Sequence, residues 1–193
     1  MRVFITVLVL IFSLQSWSKA DDIRDFEIEG ISIGDSLLDF FSEEEIKKNI
    51  RNDVLERIND KTFILSEFQH DPLFNKYEAV QFLFKRDDKK YEIHGILGAI
   101  FFKKNIKDCY IKMNEIALEI STNIDYLKKD DFNDLEFPGR GVYSGITFFL
   151  NKGIISVHCY DWSTKTENEK KWIDNLRVNI KTDELEDFLR KKD

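Results

Sequence analysis

The chain has little of what most catalytic and metal chemistries need. Among 193 residues there are three histidines, two cysteines and two prolines. Two cysteines without a C-x-x-C pair argue against thiol–disulfide catalysis, and three scattered histidines give no zinc-ligand spacing. Sparse glycine and proline, with 8 and 2 copies, argue against a low-complexity or fibrous chain. Cations are also in deficit, with 29 Lys and Arg against 36 Asp and Glu and a formal charge of −7. An acidic surface repels phosphate backbones and anionic lipid, so nucleic acid is not expected as a partner.

One long apolar run is present, and it stands at the start. Arg2 precedes "VFITVLVLIFSL" (3–14), and "SWSKA" places Ser18 and Ala20 at the −3 and −1 positions of a cleavage site. Ser16 and Ser18 offer a second site. We read residues 1–20 as a signal peptide, too short to span a bilayer comfortably, and expect an exported protein, periplasmic or secreted. No cysteine follows the run, so it does not resemble a lipoprotein signal. The leader holds Arg2 and Lys19 and no acid, so the remaining 173 residues carry a formal charge of −9. No second run long enough for a transmembrane helix follows.

Residues 21–193 suit one domain, or two similar small subunits sharing a core. Phenylalanine is its prominent apolar residue, with 17 copies in the chain, enough aromatic mass for a packed core. "FEIEGISI" (26–33) alternates, then flips parity at Gly30, which predicts a strand with a bulge or bend. "DSLLDFF" (35–41) predicts a short helix. "SEEEIKKNI" (42–50) opens with a capping box formed by Ser42 and Glu45. A strand is expected over 61–68, and a hairpin over 77–102 around the charged loop 86–90. Gly95 and Gly98 in its second strand signal a bend or a close helix approach. The strongest helix is 105–124, capped by Asn105, with Cys109, Met113, Ala117 and Ile120 on one stripe. A polar loop is expected over 128–141, a second hairpin over 142–160, a solvated loop over 163–171, a strand over 175–180, and a last helix capped by Thr182. Adjacent hairpins predict an α+β fold, an antiparallel sheet with helices packed on one face.

Gly34-Asp35-Ser36-Leu37 resembles the nucleophile block of the GDSL hydrolases, which would make Ser36 catalytic. That family also requires a Gly-x-Asn-Asp block and a late Asp-x-x-His that supplies the base. The nearest Asn block here, Asp131-Phe132-Asn133-Asp134, has a carboxylate where the oxyanion glycine belongs. Three residues before His158, His94 and His70 stand Ile155, Tyr91 and Glu67, and Glu67 precedes the Asn block. The strand before Ser36 carries Glu27 and Glu29, whereas a central parallel strand is apolar on both faces. We therefore read the four letters as a strand end followed by a helix cap, with no catalytic residue, and keep a Ser36 esterase as the alternative.

Cys109 and Cys159 both sit in apolar phase, and in an exported chain they are expected to form a disulfide. His158, Tyr160 and Trp162, in "HCYDW", fall on the strand face opposite Cys159 and are the candidate ligand-binding residues. "DDFNDLE" (130–136) breaks the calcium-loop register at Leu135, so no metal is expected there. No cofactor is expected. The openings "GISIGDSLLDFFSEEEI" (30–46) and "KDCYIKMNEI" (107–116) resemble a group of small exported proteins of marine alphaproteobacteria. That resemblance implies export and carries no activity. The expected function is a non-catalytic periplasmic or envelope module that binds a protein, peptide or small ligand.

Overall fold

The computed structural model describes residues 22–55, 61–103 and 105–191. The expected leader, 1–20, lies outside the described residues. Residues 26–33 form a tight hairpin, β1 (Glu27–Ile28) and β2 (Ile31–Ser32), rather than one bulged strand. Glu29 and Gly30 both adopt left-handed backbone, with φ of 56° and 80°, as a primed two-residue turn demands. The parity flip at Gly30 is thus a reversal, and it buries both Ile28 and Ile31. The Glu29 carboxylate accepts the backbone N–H groups of Asn75, Lys76 and Tyr77, anchoring the turn to a distant loop.

The helix expected over 35–41 is one 3₁₀ turn at Leu37–Asp39, capped by Ser36. The Ser42–Glu45 capping box is present and opens α1 (Glu43–Lys48). The remaining strands are β3 (Phe63–Gln69), β4 (Ala79–Lys85), β5 (Ile93–Phe101), β6 (Lys128–Phe137), β7 (Gly141–Leu150), β8 (Gly153–Trp162) and β9 (Asn175–Thr182). They form one antiparallel seven-stranded sheet in the order β3-β4-β5-β9-β8-β7-β6. The expected hairpins are β4–β5 and β7–β8. Each is extended by an outer strand, and β9 joins them at the centre. The segment expected as a polar loop, 128–141, is largely the edge strand β6. Its charges do not exclude pairing, because an edge strand exposes its side chains and charge there discourages further strand addition. The expected loop 163–171 is α3 (Thr164–Lys170), with Ser163 accepting the Thr166 N–H as its cap.

The antiparallel α+β expectation agrees with this sheet, but the helices do not share one face. The long helix α2 (Ile106–Asn123) lies on one side, where Cys109, Met113, Ala117 and Ile120 pack into the main core with Phe82, Ile96 and Val157. The C-terminal helix α4 (Asp183–Arg190), capped by Thr182, lies on the other. There Leu185 and Phe188 pack on Phe63, Leu65 and Leu83. Thr182 ends β9 and caps α4 directly, so the chain turns back over the face that α2 leaves bare. The two glycines of β5 serve the two faces separately. A Cβ at Gly95 would stand 2.3 Å from Leu185 Cδ2, and one at Gly98 would stand 2.5 Å from the Tyr77 ring. Each admits a close approach, one of α4 and one of Tyr77.

The sulfurs of Cys109 and Cys159 stand 2.04 Å apart, bridging α2 to β8 across a sequence separation of 50. In the chain-entropy account a loop of that length stabilises the fold by about 4 kcal/mol. Reduction, or the Cys109→Ala/Cys159→Ala pair, is expected to lower the unfolding free energy by roughly that amount in urea titrations. Unchanged stability on reduction would show that the tether contributes nothing. Gly95→Ala is expected to destabilise by about 1–3 kcal/mol, since the new methyl must displace the buried Leu185.

Candidate functional site

Ser36 is placed by the turn that follows β2. Its Oγ donates to the Lys90 carbonyl at 2.5 Å and accepts the Leu38 N–H at 3.2 Å. A carbonyl oxygen takes no proton at neutral pH, so this geometry does not activate the hydroxyl as a nucleophile. Among the described residues, no histidine hydrogen-bonds to it. His94 Nδ1 faces Glu184 at 3.6 Å, and His158 Nε2 lies 3.4 Å from Thr147 Oγ1. The Asp131–Asp134 segment lies in β6, where the Asp134 N–H donates to Ser144 Oγ.

His158, Tyr160 and Trp162 project together from β8 on the face opposite Cys159. Tyr143 and Tyr160 stack at 5.5 Å and 9°, and Tyr160 and Trp162 at 5.3 Å and 23°. The Arg177 guanidinium lies 4.4 Å over the Tyr160 ring. His158 fits this tier because its cross-strand neighbour is Gly145, where a Cβ would come within 2.2 Å of the imidazole. Phe132 meets the imidazole edge-to-face at 5.3 Å. Burial, reinforced by Lys181 and Arg177, lowers the His158 pKa to about 4.

This aromatic tier borders a cavity of about 410 Å³ on the half of the sheet that α4 leaves open. The rows of paired residues explain the boundary. Leu65, Leu83 and Gly95 form the row beneath α4, ending at Lys181, which pairs with Glu186 of that helix at 2.5 Å. The next row is polar, Glu67–Gln81–Leu97–Asn179. The one beyond, Gln69–Ala79–Ala99–Arg177, is lowered by its two alanines. Glu67 is held by Arg51 at 2.6 Å and by the amides of Gln69 and Gln81. Asn175 Oδ1 accepts from Arg177 Nε at 2.8 Å, which orients the guanidinium.

The far wall comes from the segment after α3. Lys171 ends that helix in the left-handed region at φ 58°, the usual helix-terminating conformation. The turn carries Trp172 against Trp162, with ring centroids 4.7 Å apart. Trp162 is only 5 % exposed, and among the described residues its indole N–H has no hydrogen-bond partner. Both tryptophans line the cavity. A buried unpaired donor costs about 1–3 kcal/mol, and the ring contacts of Trp162 hold the side chain in place against that cost.

Of the three residues expected to bind ligand, only Trp162 lines the cavity. Tyr160 supports it by stacking on Trp162 and under Arg177, and His158 packs one row away. Arg177, Gln81 and Glu67 were not expected at a site. Their signal was present as the polar phase of strands whose other phase is apolar, as with Arg177 between Leu176 and Val178. Nothing local shows that the three polar phases become neighbours, because that depends on β9 inserting beside β5. A second cavity, of about 590 Å³, lies between α2 and the β1–β2 hairpin. Its floor is aliphatic, including Ile100, Ile120 and Val178, and Tyr77 at its wall is pushed up to about 12 by burial and by Glu29 and Glu119. Among the described residues no helix is long and apolar enough to cross a membrane. Comparison of the chain with protein-family models, curated proteins and solved structures gives no match.

The lowered His158 pKa sets a pH dependence. The folded imidazole at about 4 lies below its unfolded value of about 6.5. The unfolded state therefore takes up the proton first as the pH falls. The contribution is complete above about pH 6.5 and is lost progressively toward pH 4, by up to about 3 kcal/mol. Urea unfolding of the wild type and His158→Gln between pH 7.5 and 4.5 checks this. The wild type is expected to show the steeper loss, and parallel curves would remove His158 as the cause.

Proposed function

We propose that this chain is an exported, non-catalytic binding module, with residues 21–193 as one domain that seats a small ligand on the open face of its sheet. The observation that carries the reading is Trp162. With Trp172 it forms the aromatic wall of a cavity of about 410 Å³, large enough for a small ligand. Preformed cavities with a few convergent polar groups and aromatic walls are the usual form of small-molecule sites. The cysteine pair at bonding distance accords with an oxidising compartment. The Ser36 hydroxyl, engaged with a carbonyl, accords with a capping role.

Export makes the test direct. Trp17 belongs to the expected leader, so the processed chain has only Trp162 and Trp172, and both line the cavity. Fragment binding followed by tryptophan emission is expected to give saturable changes, with a blue shift as the half-exposed Trp172 loses water. Trp172→Ala should weaken those hits about tenfold or more. Fragments that bind without altering either tryptophan would place the ligand elsewhere. A fluorophosphonate adduct on the intact protein that disappears in Ser36→Ala would replace this reading with that of a serine hydrolase.

A further inference from the structure

The lining of the open-face cavity runs against the charge of the whole molecule. The chain carries −7 overall, yet this cavity is bounded by four cations, Arg51, Lys103, Lys171 and Arg177, and two carboxylates, Glu67 and Glu78. Both carboxylates are already engaged. Glu67 accepts from Arg51 and two side-chain amides, and Glu78 accepts the Phe101 N–H at 2.9 Å. Arg177 is the reverse case. Its Nε is committed to Asn175 Oδ1 and its face rests on Tyr160, while among the described residues its terminal nitrogens have no carboxylate. A guanidinium fixed at Nε and on one face presents its remaining edge as a preformed two-pronged donor. Trp162 and Trp172 wall the same cavity with aromatic surface, and Leu97, Ala99 and Phe101 give it an apolar bed.

Resting on the reading of this cavity as the binding site, we propose that its ligand is a small organic carboxylate, held through its two oxygens by the Arg177 guanidinium with its apolar body on the sheet and against the tryptophans. A neutral ligand of the same shape would leave the guanidinium without a counter-charge, and a cation would be repelled by the surplus positive charge. Glycans, which present hydroxyls without charge, leave that surplus unanswered.

The test uses 3-phenylpropionate and its neutral isostere 3-phenylpropanamide, titrated into ¹⁵N-labelled processed protein. The two indole N–H signals are assigned with Trp172→Phe. The carboxylate is expected to shift the indole N–H signals saturably and to bind at least tenfold more tightly than the amide. Raised salt should narrow that margin. Arg177→Gln is expected to abolish the preference, weakening the carboxylate about tenfold or more and the amide much less. Should Arg177→Gln fail to fold, Lys103→Gln on the exposed rim is expected to weaken the carboxylate alone, about two- to fivefold. Equal binding of the two probes, or a preference that survives Arg177→Gln, overturns the proposal. So does inorganic phosphate binding as tightly as 3-phenylpropionate, because the apolar bed would then contribute nothing. If neutral fragments move the indole signals and carboxylates do not, the cavity stands as the binding site and only the ligand class falls. If neither probe nor any neutral fragment moves them, the binding site falls as well.

Discussion

The alternation of the central strand β9 is the constraint on which the rest of the structure depends. Leu176, Val178 and Ile180 point into the core under α2, while Asn175, Arg177, Asn179 and Lys181 point to the opposite side. Because β9 pairs with β5 on one edge and β8 on the other, it holds the two halves of the sheet in one register. A slip of one residue would turn three buried aliphatic side chains to the polar face and bury four polar ones. The long amphipathic helix α2, with the N-terminal hairpin and α1, covers one face, and the cysteine pair ties it to β8 beside the strand that matters most. The other face receives the short helix α4, with Leu55 at its margin, which covers the row of Leu65, Leu83 and Gly95 and stops at the Lys181–Glu186 pair. What α4 does not reach remains open, and that remainder is the cavity.

Much of this was legible in the sequence wherever a signal was local. Both hairpins, the α2 stripe with its Asn105 cap, the Ser42–Glu45 box and the Thr182 cap are written in neighbouring residues, and each is present. Gly95 and Gly98 did mark close approaches, though to two different faces. The failures came where pairing partners lie far apart. "KKDDFNDLEF" has the composition of a loop, and only its ladder with β7 makes it a strand. "FEIEGISI" carries the same alternation whether it bulges or reverses. The reversal is tied down by the Glu29 carboxylate, whose three backbone donors lie 46 to 48 residues away. The single-face helix expectation failed because α4 is strongly amphipathic but nothing in its own sequence states which side of the sheet it meets.

The two edges of the sheet are closed by different means. At β3 the chain that follows α1 lies alongside, with Arg51 donating to the Leu65 carbonyl and Asn49 accepting the Glu67 N–H. At β6 no such cover is present among the described residues. Lys128, Lys129, Asp130, Asp131, Asp134 and Glu136 line the strand instead, and its register shifts between Phe132 and Leu135. Charge and irregularity on an outer strand are the common defences against unwanted pairing. The acidic loop that resembled a calcium site and the polar stretch that resembled a hydrolase block are therefore parts of one edge. Their composition follows from that position.

The same economy accounts for Ser36 and for Trp162, which differ in how completely the fold satisfies them. Ser36 has a donor partner in its own turn and an acceptor in the distant Lys90 carbonyl, and that geometry explains the residue without further chemistry. Trp162 has an apolar body that fits its surroundings, stacked on Tyr160 and packed against Trp172, and an N–H that does not. Phenylalanine would supply most of that ring contact without the stranded donor, so packing alone does not explain the residue. Arg177 poses the same question one strand away. A shorter polar side chain would avoid confining a charge against an aromatic ring, whereas the guanidinium is held in place at Nε and on one face. An aromatic wall and a fixed guanidinium edge on one cavity are more economically explained by something that binds there than by two independent accidents of packing.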